Sequence, residues 1–214
     1  MASFAQFLKD TGFFSFFALN VIVSMAAVAV ILERFFLLMF RYQTDGKNFM
    51  KNIERYVLAN DLTQAINYCN TSQAPLAQVV KAGLTKANRG GMAVSMSVDE
   101  ALLQVTPQIE KRIGSLWSLA NIATLIGLIG TILGLITSFR GLSVATPEQR
   151  ATLLGAGIAE ALFNTATGLT IAVMCIVSHL ILSGVAKRII SDLDYYSSRL
   201  ENLLSLRHDA EKAA

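Results

Sequence analysis

Residues Ser118–Phe139 read SLANIATLIGLIGTILGLITSF, a run of 22 residues without an ionisable side chain. A helix of this length can cross the hydrocarbon core of a bilayer, which needs about 20 predominantly apolar residues. Two further apolar runs, Thr11–Leu32 and Thr152–Ala186, are long enough to do the same. The sequence therefore predicts three membrane-spanning helices.

The composition of the whole chain agrees with a membrane protein. Hydrophobic residues make up 53% of it and the mean hydropathy is +0.50, which is too apolar for an ordinary soluble domain. A cleaved signal peptide is the alternative for the first run. Its apolar core is too long, however, and Asp10 offsets Lys9 ahead of it. We therefore favour a first membrane span.

The distribution of basic residues predicts the orientation. Ten Lys or Arg lie from Arg34 to Arg112 and five from Lys187 onward, against Lys9 before the first span and two between the later spans. Basic residues collect on the cytoplasmic side. We expect an all-α integral membrane protein with three transmembrane helices, long cytoplasmic helical extensions and an outward amino terminus. The predicted segments are a periplasmic amino terminus (1–10), a first span (11–40), a cytoplasmic helical domain (41–112), a second span (113–139), a periplasmic loop (140–151), a third span (152–186) and a cytoplasmic helical tail (187–214).

Residues that start or end helices recur within the cytoplasmic segment, which predicts several helices there. Asn60-Asp61 resembles an N-cap, Pro75 is suited to a first helical turn, and Gly90-Gly91 marks a break. From about Val98 a long helix is expected to continue into the second span. Apolar residues expected on helix faces are Leu58, Leu62, Ile66 and Tyr68 in this segment, and Ile189, Ile190, Leu193, Tyr196, Leu200, Leu203 and Leu204 in the tail.

Several classes of function are disfavoured by the sequence. The net charge of +3 reflects the membrane asymmetry, and no clustered basic face indicates binding to nucleic acid. Cys69 and Cys175 lie far apart without metal-ligand spacing, so we predict packing roles and no metal. No combination of nucleophile, base and cofactor motif indicates an enzyme, and no paired broken helices or internal repeat indicate a solute carrier.

Polar residues within the later spans recur at helical spacing. Glu160, Asn164 and Thr167 are separated by four and three residues, which predicts one polar stripe. In the second span, hydroxyl residues recur every seven positions beside a surface of glycines that allows close helix packing. The hydroxyl residues are Thr124, Thr131 and Ser138, and the glycines are Gly127, Gly130 and Gly134.

Glu160 is the residue that ordinary packing does not explain. A charged carboxylate near the middle of a bilayer costs roughly 2.5 to 3.5 kcal/mol on insertion scales. It is tolerated where it lines a wet cavity, pairs with another group or is protonated. Neither polar stripe supplies a Lys or Arg, so we expect several copies of the chain to surround an aqueous path or a helix of another protein.

The run Ser118–Phe139, followed by GIAEALFNTATGL (Gly157–Leu169), resembles the paired membrane signature of the TolQ, ExbB and MotA proton-channel family, closest to its ExbB/TolQ branch. The resemblance implies a pentameric ring in the bacterial inner membrane around a dimer of ExbD/TolR-like single-span chains that carry a membrane aspartate. It implies proton flow that drives rotation and needs no cofactor. The proton-pathway positions it assigns are Thr131, Glu160 and Thr165, with Gly168 added to the close-packing glycines.

The residues leave finer roles open. Glu160 and Thr165 are about 140° apart around a helix, so we expect Thr131 and Thr165 at the lumen and Glu160 at a subunit seam, bonded to Thr124 or Thr131. Additional polar residues that could line the proton path are Thr124, Ser138, Asn164 and Thr167. Many relatives carry proline at Thr124 and near Cys175, and its absence here suggests a branch specialised for another machine, such as a gliding motor.

Two alternatives to a proton motor remain. Oxygen ligands beside the path would suit Na⁺, which allows a Na⁺-coupled stator. A non-conducting oligomeric scaffold would use Glu160 only as a hydrogen-bond anchor between helices.

Overall fold

The computed structural model describes residues 13–42, 45–143 and 146–213, with side chains described from Phe16 to Arg207 within those ranges. The predicted periplasmic segment 1–10 and the side chain of His208 lie outside this part. The described chain is almost entirely helical and contains no strand. Its helices are α1 (Phe13–Phe36), α2 (Gly46–Leu58), α3 (Leu62–Asn70), α4 (Pro75–Thr85), α5 (Gly91–Glu110), α6 (Ile113–Gly141) and α7 (Pro147–Ala213), with a π-helical turn at Leu37–Arg41 and a 3₁₀ turn at Ala87–Arg89.

Three helical stretches in the described residues are long and apolar enough to cross a membrane. They are Phe16–Arg41, Gly91–Gly141 and Pro147–Arg207, each with a mean hydropathy of 2.2 or 2.3 over its most apolar window. Each contains one of the predicted apolar runs or most of it, which confirms a multi-pass membrane protein. Which side each end faces stays a prediction from the basic residues.

The chain divides into two compact units. The first comprises residues through Glu33 together with Arg112–Ile181, and the second comprises Arg34–Lys111 and the residues from Leu182 onward. In the first unit, α1, α6 and the amino-terminal part of α7 pack through small side chains. One buried cluster joins Ala27, Ala120, Ala172 and Cys175, and a second joins Val23, Ala123 and Ile126. Small residues let helices approach closely in a membrane, where no hydrophobic force drives them together.

The helix boundaries of the second unit follow local sequence signals. Asp61 caps α3 by accepting a hydrogen bond from the backbone of Gln64 at 3.0 Å. Pro75 is the first residue of α4, where its missing N–H costs nothing. Gly90 has a φ of 94°, a left-handed value that glycine adopts without strain, and α5 begins directly after it. These three predictions are confirmed.

The carboxyl-terminal part of α7 packs on the helices of the second unit, as its apolar face predicted. Leu193, Leu200 and Leu204 are buried. A Cβ added at Gly83 would lie 2.9 Å from both Leu200 and Val98, so α4 fits closely against these side chains. An ion pair between Arg199 and Glu54, 2.6 Å long, adds a polar contact to this packing.

Two predictions about the helices are wrong in detail. Leu58 is 78% exposed, because the buried face of α2 contains Phe49, Met50, Ile53 and Val57 and Leu58 falls one residue out of phase with it. The long helix does not run unbroken into the second span. It stops at Glu110, and Arg112 takes a left-handed φ of 61° while its guanidinium donates to Glu33 at 2.5 Å.

In the segment predicted as a periplasmic loop, 140–151, α6 continues to Gly141 and α7 starts at Pro147; which part of it lies outside the membrane stays a prediction. Cys69 and Cys175 are both buried and free, as expected for packing residues. Burial raises the pKa of the Cys69 thiol to about 11, so this thiol is protonated and unreactive at neutral pH.

Glu201 generates a prediction about stability. Burial, and next the nearby Asp99 carboxylate, raise the pKa of Glu201, and a hydrogen bond from Ser95 partly offsets both effects. Because the folded pKa exceeds the unfolded one, the stability linked to this group is complete at low pH and is lost as pH rises through the folded pKa. We expect Glu201→Gln to raise the apparent unfolding temperature at pH 8 and to change it little at pH 4.

Thermal scans of the purified protein in detergent at both pH values measure this effect. Glu100→Gln, at an exposed carboxylate of α5, is the matched control and should leave both scans unchanged. An equal shift at both pH values for Glu201→Gln would contradict the electrostatic explanation.

Candidate functional site in the apolar helices

The backbones of α6 and α7 approach each other closely at two glycines. A Cβ added at Gly168 would lie 2.6 Å from the Ala123 carbonyl oxygen and 3.1 Å from the Gly127 Cα. A Cβ at Gly127 would lie 3.3 Å from the Cα atoms of Gly168 and Thr165. At Gly134, a Cβ would lie 2.9 Å from that of Ala161. Residues larger than glycine would therefore separate these helices.

This close approach brings two threonines and one carbonyl together. The hydroxyls of Thr131 on α6 and Thr165 on α7 are hydrogen-bonded to each other. Thr165 also lies 3.0 Å from the carbonyl oxygen of Gly127, and Thr131 lies 3.1 Å from the same oxygen. Both side chains are half-buried. The structure thus joins the two predicted pathway threonines in one hydrogen-bonded group within a single chain.

Asn164 occupies the space beside Gly130. Its side chain is fully buried, and a Cβ at Gly130 would overlap its amide. Neither amide atom of Asn164 has a hydrogen-bond partner among the described residues. An amide without partners in an apolar environment is costly, so this site is suited to a water molecule or another polar group.

Glu160 is about 140° around α7 from Thr165. Its side chain is exposed, and it makes no hydrogen bond or ion pair within the described part of the chain. The expected bond to Thr124 or Thr131 is therefore not made within one chain. A bond to either hydroxyl of a neighbouring copy stays a prediction.

The other predicted lining residues bond to their own helices. Thr124 donates to the Ala120 carbonyl at 3.0 Å, and Ser138 to that of Gly134 at 2.7 Å. Thr167 donates to the carbonyl of Asn164 at 2.8 Å. Such bonds satisfy a hydroxyl in a membrane without a partner helix, and they leave its oxygen free to accept.

Asn20 is a polar residue that the sequence patterns missed. It lies on α1, is 1% exposed, and neither of its amide atoms has a hydrogen-bond partner among the described residues. It lines a groove of about 410 Å³ with Ser24 of α1 and with Thr167 and Thr170 of α7. The available signal was a single amide within the apolar run Thr11–Leu32, where polar side chains face protein more often than lipid.

His179 has a partner that sequence reasoning did not identify. Its Nδ1 atom lies 3.0 Å from the carbonyl oxygen of Ile113, the first residue of α6, and its ring lies 6.2 Å from that of Trp117. This contact ties α7 to the start of α6.

The geometry suits the transfer of a proton or a small cation across the helix pair. Each hydroxyl can both donate and accept, so linked hydroxyls can pass a hydrogen bond without carrying a charge. No group of three or more His, Cys, Asp or Glu side chains that could hold a metal ion is found among the described residues. These features define a multi-pass membrane protein with a polar site between apolar helices, which is typical of membrane proteins that conduct ions.

The chain belongs to the MotA/TolQ/ExbB proton channel family, whose sequence profile matches residues 71–195, more than half of its length. Over 74 residues it is 38% identical to the biopolymer transport protein exbB1 of Vibrio cholerae, covering 35% of this chain and 32% of that protein. The putative biopolymer transport protein ExbB-like 3 of Synechocystis is 26% identical over 152 residues, covering 70% and 71%. The Tol-Pal system protein TolQ of Pseudomonas aeruginosa is 28% identical over 142 residues, covering 59% and 60%.

These matches identify the ExbB/TolQ branch that the sequence resemblance indicated. The chain spans 32%, 71% and 60% of the lengths of these three relatives. The family is one of proton channels and not of enzymes.

Gly168→Ala tests the close approach of α6 and α7. The added methyl group would meet the Ala123 carbonyl oxygen, which belongs to backbone and cannot turn aside. We expect a loss of about 1 to 3 kcal/mol of stability, as for other overpacked sites, seen as a lower apparent unfolding temperature.

Gly155→Ala is the matched control, because it changes the same helix at a position with open space around the new methyl group. It should be neutral or slightly stabilising, since alanine favours helix. Equal effects of the two substitutions would argue against a close helix contact at Gly168.

Proposed function

We propose that this chain is the ring-forming subunit of a proton-driven motor in the bacterial inner membrane. Its partner would be a dimer of ExbD/TolR-like single-span chains carrying a membrane aspartate, and five copies would form the ring. The observation that carries the proposal is the hydrogen-bonded group of Thr131, Thr165 and the Gly127 carbonyl between two apolar helices. Membership of a proton channel family supports the choice of a proton as the transported ion.

Glu160 supports an assembly of several copies. An exposed carboxylate on an apolar helix would face lipid in a single chain, at a cost of roughly 2.5 to 3.5 kcal/mol near the middle of a bilayer. A neighbouring copy would replace lipid with protein or water at this position. We assign Glu160 to the seam between subunits and the two threonines to the proton path.

The basic residues support an outward amino terminus. The segment Arg34–Arg112 and the tail from Lys187 carry fifteen of the eighteen Lys and Arg residues and would lie in the cytoplasm. The second unit would then form a cytoplasmic base of the ring.

The names of the relatives bear on the machine that the motor drives. The relatives include proteins named for biopolymer transport and for the Tol-Pal system, which supports energised transport or envelope maintenance. A gliding motor would use the same kind of ring-forming subunit. A partner with a different periplasmic domain would direct the motor to each of these tasks.

Flux measurements test the proposed path. The chain and its partner would be reconstituted into vesicles, and proton entry would be followed under an imposed pH gradient and potential. We expect Thr165→Val to reduce partner-dependent flux by about tenfold or more, because valine keeps the shape of threonine but cannot relay a proton. Assembly should be unchanged.

Thr170→Val is the matched control, because Thr170 is exposed on the same helix and bonds only to its own backbone at Ala166. It should conduct like the parent. If both valine variants conduct equally, the Thr131–Thr165 group is not on the path. A Na⁺ gradient that drives flux in place of protons would favour a Na⁺-coupled stator.

Glu160→Gln separates the motor from a non-conducting scaffold. Glutamine keeps the size of the side chain and can still form hydrogen bonds through its amide, but it cannot ionise. We expect loss of flux with an intact ring, measured by native mass spectrometry of the assembled complex. A scaffold that uses Glu160 only as an anchor would tolerate this substitution and would pass no ions even as the parent protein.

A further inference from the structure

A cavity of about 390 Å³ lies within the second unit, and none of the pathway residues named above lines it. Its walls come from the π-helical turn after α1, the first turn of α2 and the carboxyl-terminal part of α7. This volume falls within the roughly 300–1,000 Å³ typical of small-molecule pockets. The proposed function gives the cavity no role.

Two cations and one carboxylate face this cavity without partners. Lys47, Arg188 and Asp192 all line it, and none of them forms an ion pair or a side-chain hydrogen bond among the described residues. A second carboxylate, Asp45, is already engaged as the cap of α2. It accepts hydrogen bonds from the backbone and the side chain of Asn48, at 3.2 Å and 2.5 Å.

Tyr196 lines the same cavity as these two carboxylates, Asp192 and Asp45. Its ring packs on Gly46, so tightly that a Cβ there would overlap it. Burial first, and then the charges of Asp192 and Asp45, raise the pKa of Tyr196. Both carboxylates are therefore close enough to act electrostatically on the same ring.

The balance of these charges identifies a class of ligand. Two free cations suit a phosphate, which accepts charge-assisted hydrogen bonds from Lys and Arg. The free carboxylate of Asp192 suits an ammonium group. With Asp45 included, the four charged side chains sum to zero, which matches a zwitterion better than an anion.

The apolar part of the cavity indicates that this zwitterion belongs to a lipid. Leu38, Met39, Val185 and Ile189 line the cavity beside the charged groups. Met39 is 40% exposed, and the neighbouring Phe40 is 69% exposed and stacked on Phe36. Such exposed apolar side chains at the end of a membrane span are suited to contact with acyl chains.

We propose that this cavity binds the headgroup of a phosphoethanolamine phospholipid. Lys47 and Arg188 hold its phosphate, Asp192 holds its ammonium group, and its acyl chains extend over Met39 and Val185. This inference does not depend on proton conduction.

Lipid retention tests the proposal. The full chain would be incorporated into nanodiscs of phosphatidylcholine with equal amounts of phosphatidylethanolamine and phosphatidylglycerol, then released for native mass spectrometry of the retained lipid. We expect retained phosphatidylethanolamine to exceed phosphatidylglycerol by about fivefold. Lys47→Gln and Arg188→Gln should abolish this enrichment. Lys51→Gln and Lys187→Gln should retain it, because these lysines lie on the same helices and do not line the cavity.

Asp192→Asn tests the ammonium contact separately. It should remove the preference for phosphatidylethanolamine and favour phosphatidylglycerol, because the cavity then carries one net positive charge. Circular dichroism would show that each variant keeps its helical content. Equal retention of both lipids by the parent protein, or identical behaviour of the cavity variants and the lysine controls, would overturn the proposal.

A soluble competitor identifies the source of the ligand. Glycerophosphoethanolamine and inorganic phosphate, each added at millimolar concentration in detergent, should fail to displace the bound lipid, because neither has acyl chains to cover the apolar wall. Displacement by either would assign the cavity to a soluble phosphate compound instead of a membrane lipid.

Discussion

The close approach of α6 and α7 at Gly127 and Gly168 is the constraint on which the polar site depends. Without side chains at these positions, the two backbones come close enough for Thr131 and Thr165 to share the Gly127 carbonyl oxygen. A larger residue at either glycine would push against the facing backbone and force these helices apart. The glycines therefore bring hydroxyls and a carbonyl together where the surroundings are otherwise apolar.

This arrangement explains how polar atoms are tolerated between apolar helices. Thr124, Ser138 and Thr167 each donate to a carbonyl of their own helix, which removes most of the cost of burial. Asn20 and Asn164 do not, and all four of their amide atoms are without partners in the described chain. The asparagines are thus the positions where water or another chain would add most stability.

Much of the fold could be predicted from the sequence because its signals are local. Apolar runs indicated the three spans, and Asp61, Pro75 and Gly90 indicated helix ends through chemistry confined to one turn. The break at Arg112 could not be predicted in this way. A left-handed arginine is unfavourable by itself, and its partner Glu33 is 79 residues away in the sequence. The same limit applies to Asn20, whose burial depends on helices that follow much later in the chain.

Helical spacing also predicted one polar stripe on α7, and the packing divides it. Glu160 and Asn164 are only about 40° apart around the helix, yet Asn164 is fully buried beside Gly130 while Glu160 is exposed. Helical periodicity predicts on which side of α7 a side chain lies, but it does not predict how much of that side the neighbouring helix covers. Here α6 covers Asn164 and leaves Glu160 exposed.

Thr165 is about 140° from Glu160 and bonds to α6 within the same chain. The two residues therefore meet different environments: Thr165 is positioned by a contact within its own chain, and Glu160 is exposed on the surface of that chain. A path that uses both would have to pass from the interior of one chain to the surface where a second chain meets it. Conduction would then require the assembly, because a single chain supplies the hydroxyl group but leaves the carboxylate facing lipid.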